Sequence, residues 1–516
     1  MIATSGLAFC GLEIDGLPPR GGPMSSGMRR LVGCVLAKTA RSAIIGDLEE
    51  ICWRPQVKGR KTMADNEITR RGLLGAAAAG AAAMTILPSS VVSAPGKTPP
   101  SDKLNIAGIG VGGMGYGNIR HVSSQNIAAL CDVDHRYAAR AFKHHPKAKP
   151  YKDYRIMLDK QKDIDAVIVA TPDHTHAVIS MAAIKLGKHV FTQKPLTHDV
   201  YEARMLATEA RKAGVITAMG IQGNSGEGHR LICEWIQAGL IGEVRDVDAW
   251  CSLSYYPPGH AYWSSKLLRR PKETPPVPEG LEWDLWIGPA PMRPYHRTYH
   301  PQMWRSWWDF GSGMMGDRGA HTLDAAFDAL KLGSPSSVSA TSMGLNPDTH
   351  PLAGIMTFNF PERTDPRLGK LPPVTVTWYD GLRPPRPMEL EDGRMLGGRE
   401  GGLVFNGSKG KIMAGVYGGS PMIIPETARK AAKYPAKTLP RVRTSHEMNW
   451  VECCKSGKLP GAHFGYSGPL TEMTVLGNVA RRLDTRINWD AENLKVTNNP
   501  KAAQYVKKQY RKGWSL

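Results

Sequence analysis

Two clusters of residues have the types and spacing for proton transfer at a hydroxyl. Gln193-Lys194-Pro195 follows an apolar run ending at Thr192. A lysine at the end of a buried strand is partly desolvated, which lowers its pKa and lets it exchange a proton with a sugar hydroxyl. A surface lysine is the alternative. Asp317-Arg-Gly-Ala-His321 follows the glycine-rich turn from Gly311 to Gly316. On a helix, a separation of four puts carboxylate and imidazole on one face. Asp317 can then hold the tautomer of His321 and raise its basicity, which makes His321 a candidate general base. An N-cap aspartate with an unrelated histidine is the other reading.

A third pattern concerns a phosphate-bearing ligand. Leu104 to Gly117 reads as a short apolar strand running into glycines and then a helix. At a helix start the unpaired N–H groups and the positive dipole end hold a pyrophosphate without a cationic side chain. Of the two registers of Gly-x-Gly-x-x-Gly, the one on Gly110, Gly112 and Gly115 leaves Gly108 inside the strand. Gly113 and Met114 complete the cradle. The run Ile127 to Leu130 leads into Cys131-Asp132, and Asp132 lies 22 residues beyond Gly110. This is about the distance at which an acidic residue accepts hydrogen bonds from an adenosine ribose, and its charge repels a 2′-phosphate, favouring NAD over NADP. A helix cap or solvated charge is the alternative for Asp132. Thr171-Pro172-Asp173-His174-Thr175-His176 leaves the run ending at Ala170, with Pro172 fixing the exit and His176 placed to pack beside a nicotinamide.

The elements that must position these residues alternate regularly. Strand-like runs at 165–170, 189–192 and 215–219 are separated by helix-like segments at 176–185 and 202–212. Strands separated by helices imply a parallel, doubly wound sheet, an α/β Rossmann domain spanning residues 101–222. All three clusters fall where loops leave strands, the ligand edge of such a sheet. Beyond it, residues 223–516 read as a second α/β domain. An amphipathic helix spans 227–238, and strands at 244–250, 354–360, 374–378 and 402–416 build an open, mostly antiparallel sheet. Residues 256–301, rich in Pro, Trp, Tyr and His, are too irregular for a core and read as a surface excursion roofing a pocket. Trp263, Trp283, Trp286, Trp304, Trp307 and Trp308 either stack on sugar faces or pack this domain. Arg305 either reaches cofactor or substrate or makes a surface ion pair.

Residues 1–94 read as a leader. Thr69-Arg70-Arg71-Gly72-Leu73-Leu74, an apolar small-residue run to Leu87 and Val92-Ser93-Ala94 form a twin-arginine export signal over 63–94, which makes 1–62 a mis-called extension. The run is shorter than the roughly 20 apolar residues a membrane span needs. Export as a folded protein implies a periplasmic or secreted enzyme that keeps its cofactor tightly bound. Five cysteines follow the cut, with no Cys-x-x-Cys, so neither a disulfide framework nor a metal site is indicated. The net charge is +20; the leader carries 11 basic and 7 acidic residues, leaving about +16. The basic block Lys266 to Lys272 lacks the aromatic interleaving of a nucleic-acid binder and reads as a solvated loop or as attraction for an acidic sugar polymer.

Taken in order, Gly110-x-Gly112-x-x-Gly115, Asp132, Thr171-Pro172-x-x-x-His176, Gln193-Lys194-Pro195 and Asp317-x-x-x-His321 resemble the glucose–fructose oxidoreductase/inositol dehydrogenase/rhizopine catabolism (Gfo/Idh/MocA) family over roughly residues 101–516. The leader, Trp283 to Gly288, Trp304 to Gly311 and Tyr466 to Glu472 are similar to its exported branch. The resemblance implies NAD or NADP, a carbohydrate substrate and a homo-oligomer formed through the C-terminal sheet. It assigns proton transfer and substrate placement to Lys194, Asp317 and His321, and Thr171, Pro172, Gln193 and Lys194 are expected to contact the cofactor as well. Many members have Glu-Lys-Pro where this chain has Gln193, which removes a charge beside Lys194. The expected activity is oxidation of a hydroxyl on a sugar, glycoside or polyol. The alternatives are glycoside hydrolysis by transient oxidation and elimination, and a non-catalytic sugar-binding or scaffold protein.

Overall fold

The computed structural model describes residues 102–254 and 263–516. The leader at 1–94, with its twin-arginine pattern, lies outside the described residues.

Six short strands form the first sheet: β1 (Asn105–Ile109), β2 (Asn126–Cys131), β3 (Lys149–Tyr151), β4 (Ala166–Val169), β5 (His189–Gln193) and β6 (Thr217–Gly220). All pairs are parallel, in the order β3-β2-β1-β4-β5-β6. The connecting helices are α1 (Gly113–His121), α2 (Ala139–His144), α3 (Tyr154–Lys160), α4 (Asp173–Lys185) and α5 (Val200–Ala213). Helices cover both faces, which is why Ala-Val-Ile-Val of β4 is buried throughout rather than alternating. Local chemistry sets the boundaries. Asp199 and Glu202 close a reciprocal capping box at the start of α5, and Gly214 ends it at φ +65°. The strand order reverses between β1 and β4, and a doubly wound sheet binds ligands outside that switch point.

The second sheet is built from β7 (Val244–Cys251), β8 (Ser337–Met343), β9 (Ala353–Phe360), β12 (Val374–Asp380), β13 (Gly401–Gly407), β14 (Gly410–Gly415), β15 (Met422–Ile424), β16 (Arg486–Asp490) and β17 (Lys495–Val496). Its nine strands run in the order β15-β14-β13-β7-β12-β9-β8-β16-β17. β10 (Arg363–Asp365) and β11 (Gly369–Leu371) form a separate hairpin. Only β7 and β12 pair in parallel, and the remaining pairs are antiparallel. β9 and β12 alternate buried and half-exposed residues, so this sheet is covered on one side and open on the other. The predicted strand at 402–416 is a hairpin, turned at Ser408 and Lys409.

Helices α6 (Glu227–Gln237), α7 (Trp283–Ile287), α8 (Ala320–Ala329), α9 (Glu426–Ala431), α10 (His446–Ser456), α11 (Phe464–Leu483) and α12 (Ala503–Val506) complete the chain. Two of them bind the halves together. In α10, Trp450, Val451 and Cys453 join the apolar cluster around Phe191 and Leu130 of the parallel sheet. α11 packs along α5, where Arg204 clasps Glu472 with two bonds of 2.7 and 2.8 Å. His229 of α6 reaches Asp324 and Asp328 of α8 at 3.3 and 2.9 Å. Burial opposes its charge, but the two carboxylates outweigh burial and hold the ring well above its ordinary pKa, pinning α8 in place.

One expectation is corrected in part. The segment at 256–301, predicted to be too irregular for a core, puts Leu281, Trp283, Trp286 and Tyr299 into a buried cluster completed by Trp304, Trp307 and Phe310, while Trp263, Leu285, Trp286 and His300 line a cavity as its expected roofing role requires. Aromatic rings bury enough area to hold a segment without regular structure. Among the described residues, no helix is long and apolar enough to cross a membrane, and all five cysteines are free.

Candidate active site

A cavity of about 630 Å³ opens at the switch point. Of the residues singled out from sequence, Gly110, Gly112, Gly113, Met114, Asp132, Thr171, Pro172, His176, Gln193, Lys194, Asp317 and His321 line it. Gly115 does not. It lies beneath the loop, where an added Cβ would run into the Gly110 carbonyl, so its role is to let α1 approach β1. Gly110 has φ +76°, a conformation an L side chain rarely adopts. α1 begins at Gly113, after Gly112, with no side-chain cap, so the N–H groups of its first turn keep their capacity for an anion.

Asp132 braces this loop. Its carboxylate accepts from the N–H groups of Val111 at 2.8 Å, Gly112 at 3.2 Å and Asp134 at 2.9 Å. Burial pushes its pKa up to about 6 against the pull of those bonds. A carboxylate offers about four acceptor positions, so capacity for a ribose hydroxyl remains. Backbone cradle and acidic partner together fit a dinucleotide. Tyr137 lies against Gly112 and Gly113, where an added Cβ at either would meet its ring or hydroxyl.

At the other end, Lys194 follows β5 and its Nζ contacts the Asp317 carboxylate, with a further bond of 3.0 Å to the Asp317 carbonyl. Burial, then the charge of Arg305 and, more weakly, that of Arg318, hold the amine well below the ordinary lysine range, against a smaller opposing pull from Asp173. His321 is also buried. Burial first, then Lys194 and Arg318, keep its ring neutral, with a pKa well below the usual value. Its Nδ1 has no hydrogen-bond partner among the described residues. Such a buried atom costs about 1–3 kcal/mol, which a bound hydroxyl would relieve.

The expected Asp317–His321 pairing differs in detail. Residues Met315–Gly319 form a π-helical turn ahead of α8, and its wider winding changes the helical offset between the two side chains. The Asp317 carboxylate serves Lys194, while Tyr417 stands edge-on to the His321 ring at 4.7 Å. His176, expected beside a nicotinamide, spends both ring nitrogens on backbone: 2.8 Å to the Thr171 carbonyl and 2.8 Å to that of Pro195. It ties the exit of β4 to that of β5 and so positions Lys194. Gln193 turns away from the lysine amine. Its amide donates to Asn118 at 3.0 Å, which donates to the buried Glu447 of α10 at 2.8 Å.

Sequence reasoning did not assign roles to Tyr137, Arg318 or Tyr417. Arg318 donates to the Tyr417 hydroxyl at 2.8 Å and pairs with Glu400 at 3.0 Å. It stands next to Asp317 in sequence, so a signal existed. Tyr417, from a turn about 100 residues away, had none. Of the tryptophans, Trp263, Trp286 and Trp304 line the cavity, while Trp283 and Trp307 pack the aromatic core. Trp308 lies tilted against His350, with ring centres 3.7 Å apart.

Comparison with known proteins bears on this geometry. Residues 104–221 match the model of the oxidoreductase family NAD-binding Rossmann fold, and residues 254–348 match that of its C-terminal alpha/beta domain. By these two domains, the chain belongs to the Gfo/Idh/MocA oxidoreductase family. Its first domain is therefore an NAD-binding one. An alpha-N-acetylgalactosaminidase of Shewanella oneidensis is 29% identical over 179 residues, covering 32% of this chain and 39% of that protein. A glycosyl hydrolase family 109 protein of Shewanella baltica is 28% identical over 206 residues, covering 35% and 45%. The chain thus spans less than half the length of these relatives. The fold is shared with the WlbA dehydrogenase of Bordetella pertussis, solved with NADH and UDP-GlcNAcA, at TM-score 0.51, with 17% identity over 75% of this chain and 99% of that one. It is shared equally with GenD2 of gentamicin A biosynthesis, solved with NAD, at TM-score 0.51, with 16% identity over 77% and 100%.

Proposed function

We propose that the protein oxidises a hydroxyl-bearing carbon of a sugar, glycoside or polyol with NAD. One observation carries the proposal: a single cavity is lined at one end by the glycine cradle and Asp132 and at the other by Lys194, Asp317 and His321. Bound along the cradle, NAD supplies the two-electron acceptor for the carbon. Lys194 accepts the hydroxyl proton, because burial and neighbouring cations favour its neutral form. Asp317 shares that proton and aims the amine. His321, neutral and with one nitrogen uncommitted, orients the same or an adjacent hydroxyl. Asp132 favours NAD over NADP through its charge.

The Shewanella relatives favour a second reading, glycoside cleavage by transient oxidation and elimination with no net change in the cofactor. Aryl glycosides separate the two. Aglycone release without NADH accumulation supports cleavage, while NADH formed in step with an intact, oxidised glycoside supports the dehydrogenase. A non-catalytic sugar binder would keep its biological activity in Lys194→Met and His321→Ala.

Three further properties belong to the proposal. Twin-arginine export to the periplasm or exterior rests on the Arg70-Arg71 pattern, and cell fractionation with N-terminal sequencing tests it. Tight cofactor retention follows from export in the folded state, and nucleotide carried through purification tests it. Homo-oligomer formation rests on the half-exposed side of β9 and β12, and light scattering tests it.

A further inference from the structure

Several interior arginines are neutralised by carboxylates, and Arg305 is not one of them. Arg318 pairs with Glu400, Arg204 with Glu472, Arg481 with Asp380, and Arg293 with Asp309. Arg305 lines the cavity, and no carboxylate pairs with it among the described residues. Among those residues its one hydrogen bond runs from Nη1 to the Gln302 carbonyl at 3.2 Å. Its guanidinium centre instead lies 4.2 Å from the ring centre of Trp304 and 4.9 Å from that of Trp263.

A guanidinium carries five N–H donors in a planar fork that matches an oxyanion in two bonds. Among the described residues most of that fork is unused. Aromatic walls steady the cation and lower the local dielectric, which strengthens its pull on an anion. The two indoles also give flat apolar surfaces for a sugar ring. Arg305 and Lys194 line the same cavity, and among the neighbouring cations Arg305 lowers the lysine pKa most.

We propose that Arg305, set between Trp263 and Trp304, anchors an anionic substituent of the carbohydrate, so that the substrate class is acidic sugars rather than neutral ones. This rests on the reading of the cavity as a carbohydrate site. The anion is a carboxylate or a sulfate or phosphate ester. With the sugar held by its charge against the indoles, its ring hydroxyls reach toward Lys194 and His321.

Tryptophan fluorescence titration of the NAD-loaded protein tests it, using D-glucuronate, D-galacturonate, glucose 6-sulfate and glucose 6-phosphate against D-glucose and D-galactose. At least one acid binds about tenfold or more tightly than its neutral counterpart, and Arg305→Met brings the two within about twofold while Arg305→Lys keeps part of the preference. Which acid is preferred identifies carboxylate or ester. NAD affinity is the same in wild type and Arg305→Met. Equal binding of acidic and neutral sugars, absence of saturable acid binding, a preference untouched by Arg305→Met, or loss of NAD affinity in that variant each overturns the proposal. Acid binding without oxidation or cleavage of any sugar would retain the anchor and remove the proposed reaction. Oxidation of neutral sugars without acid preference would do the reverse.

Discussion

The two ends of the cavity are built on different principles. At the cradle the binding groups are the backbone N–H groups at the uncapped start of α1, on a loop whose Val111 and Gly112 N–H groups are held by Asp132, and the requirement is for side chains to be missing. At the Lys194 end the working groups are side chains delivered by β5, by the π-helical turn before α8, by the segment around Trp304 and by the turn at Tyr417. Shape governs the first and charge the second. Burial raises Asp132 and lowers Lys194 and His321, because desolvation penalises whichever form is charged. A change at either end should therefore damage one function and spare the other.

The largest effect expected is at the charged end. Lys194→Met loses the proton acceptor and should lower kcat by roughly 10²–10⁴-fold, while NAD affinity stays at the wild-type value in a direct titration. A matching loss of NAD affinity would break the division of labour. Gly115→Ala is the converse. Its Cβ meets the Gly110 carbonyl, and overpacking of about 1–3 kcal/mol should weaken NAD binding by roughly 5–150-fold, with kcat at saturating NAD much less affected. Asp317→Asn sharpens the charged end further. Removing the anion beside Lys194 disfavours its ammonium form, so the rising limb of the pH–rate profile should move to lower pH and kcat should fall by about tenfold.

The smallest effect concerns pH at the cradle. Asp132, at about 6 in the free protein, must be ionised to accept fully from a ribose. NAD affinity should be level above about pH 7 and fall severalfold through pH 6 and below as the carboxyl takes up its proton. Asp132→Asn should flatten that dependence, as read by calorimetry across pH 5 to 8.

The same contrast explains which features are legible in the amino-acid sequence. The glycine spacing, Asp132 and the strand–helix alternation are local and periodic, so the parallel sheet and the cradle can be read directly. Lys194, Asp317 and His321 stand out as candidates because each sits where a strand or a glycine-rich turn ends. Their partnership does not. The π-helical turn at Met315–Gly319 alters the helical offset on which the expected Asp317–His321 pairing rests. The backbone bonds of His176 depend on carbonyls from two loops. The aromatic core at 281–310 lacks periodicity and is held by ring packing, which leaves no regular trace in sequence. The link from Gln193 through Asn118 to Glu447 spans more than 300 residues of chain and becomes visible once α10 is seen against the parallel sheet.

The central claim is that the glycine cradle grips a dinucleotide independently of the lysine that does the chemistry. The direct test is to load wild type, Lys194→Met and Gly115→Ala with NAD, pass each through gel filtration, denature it and quantify the nucleotide released. The account predicts close to one NAD per chain from the first two and far less from the third. Equal retention by all three, or loss from Lys194→Met alone, would contradict it.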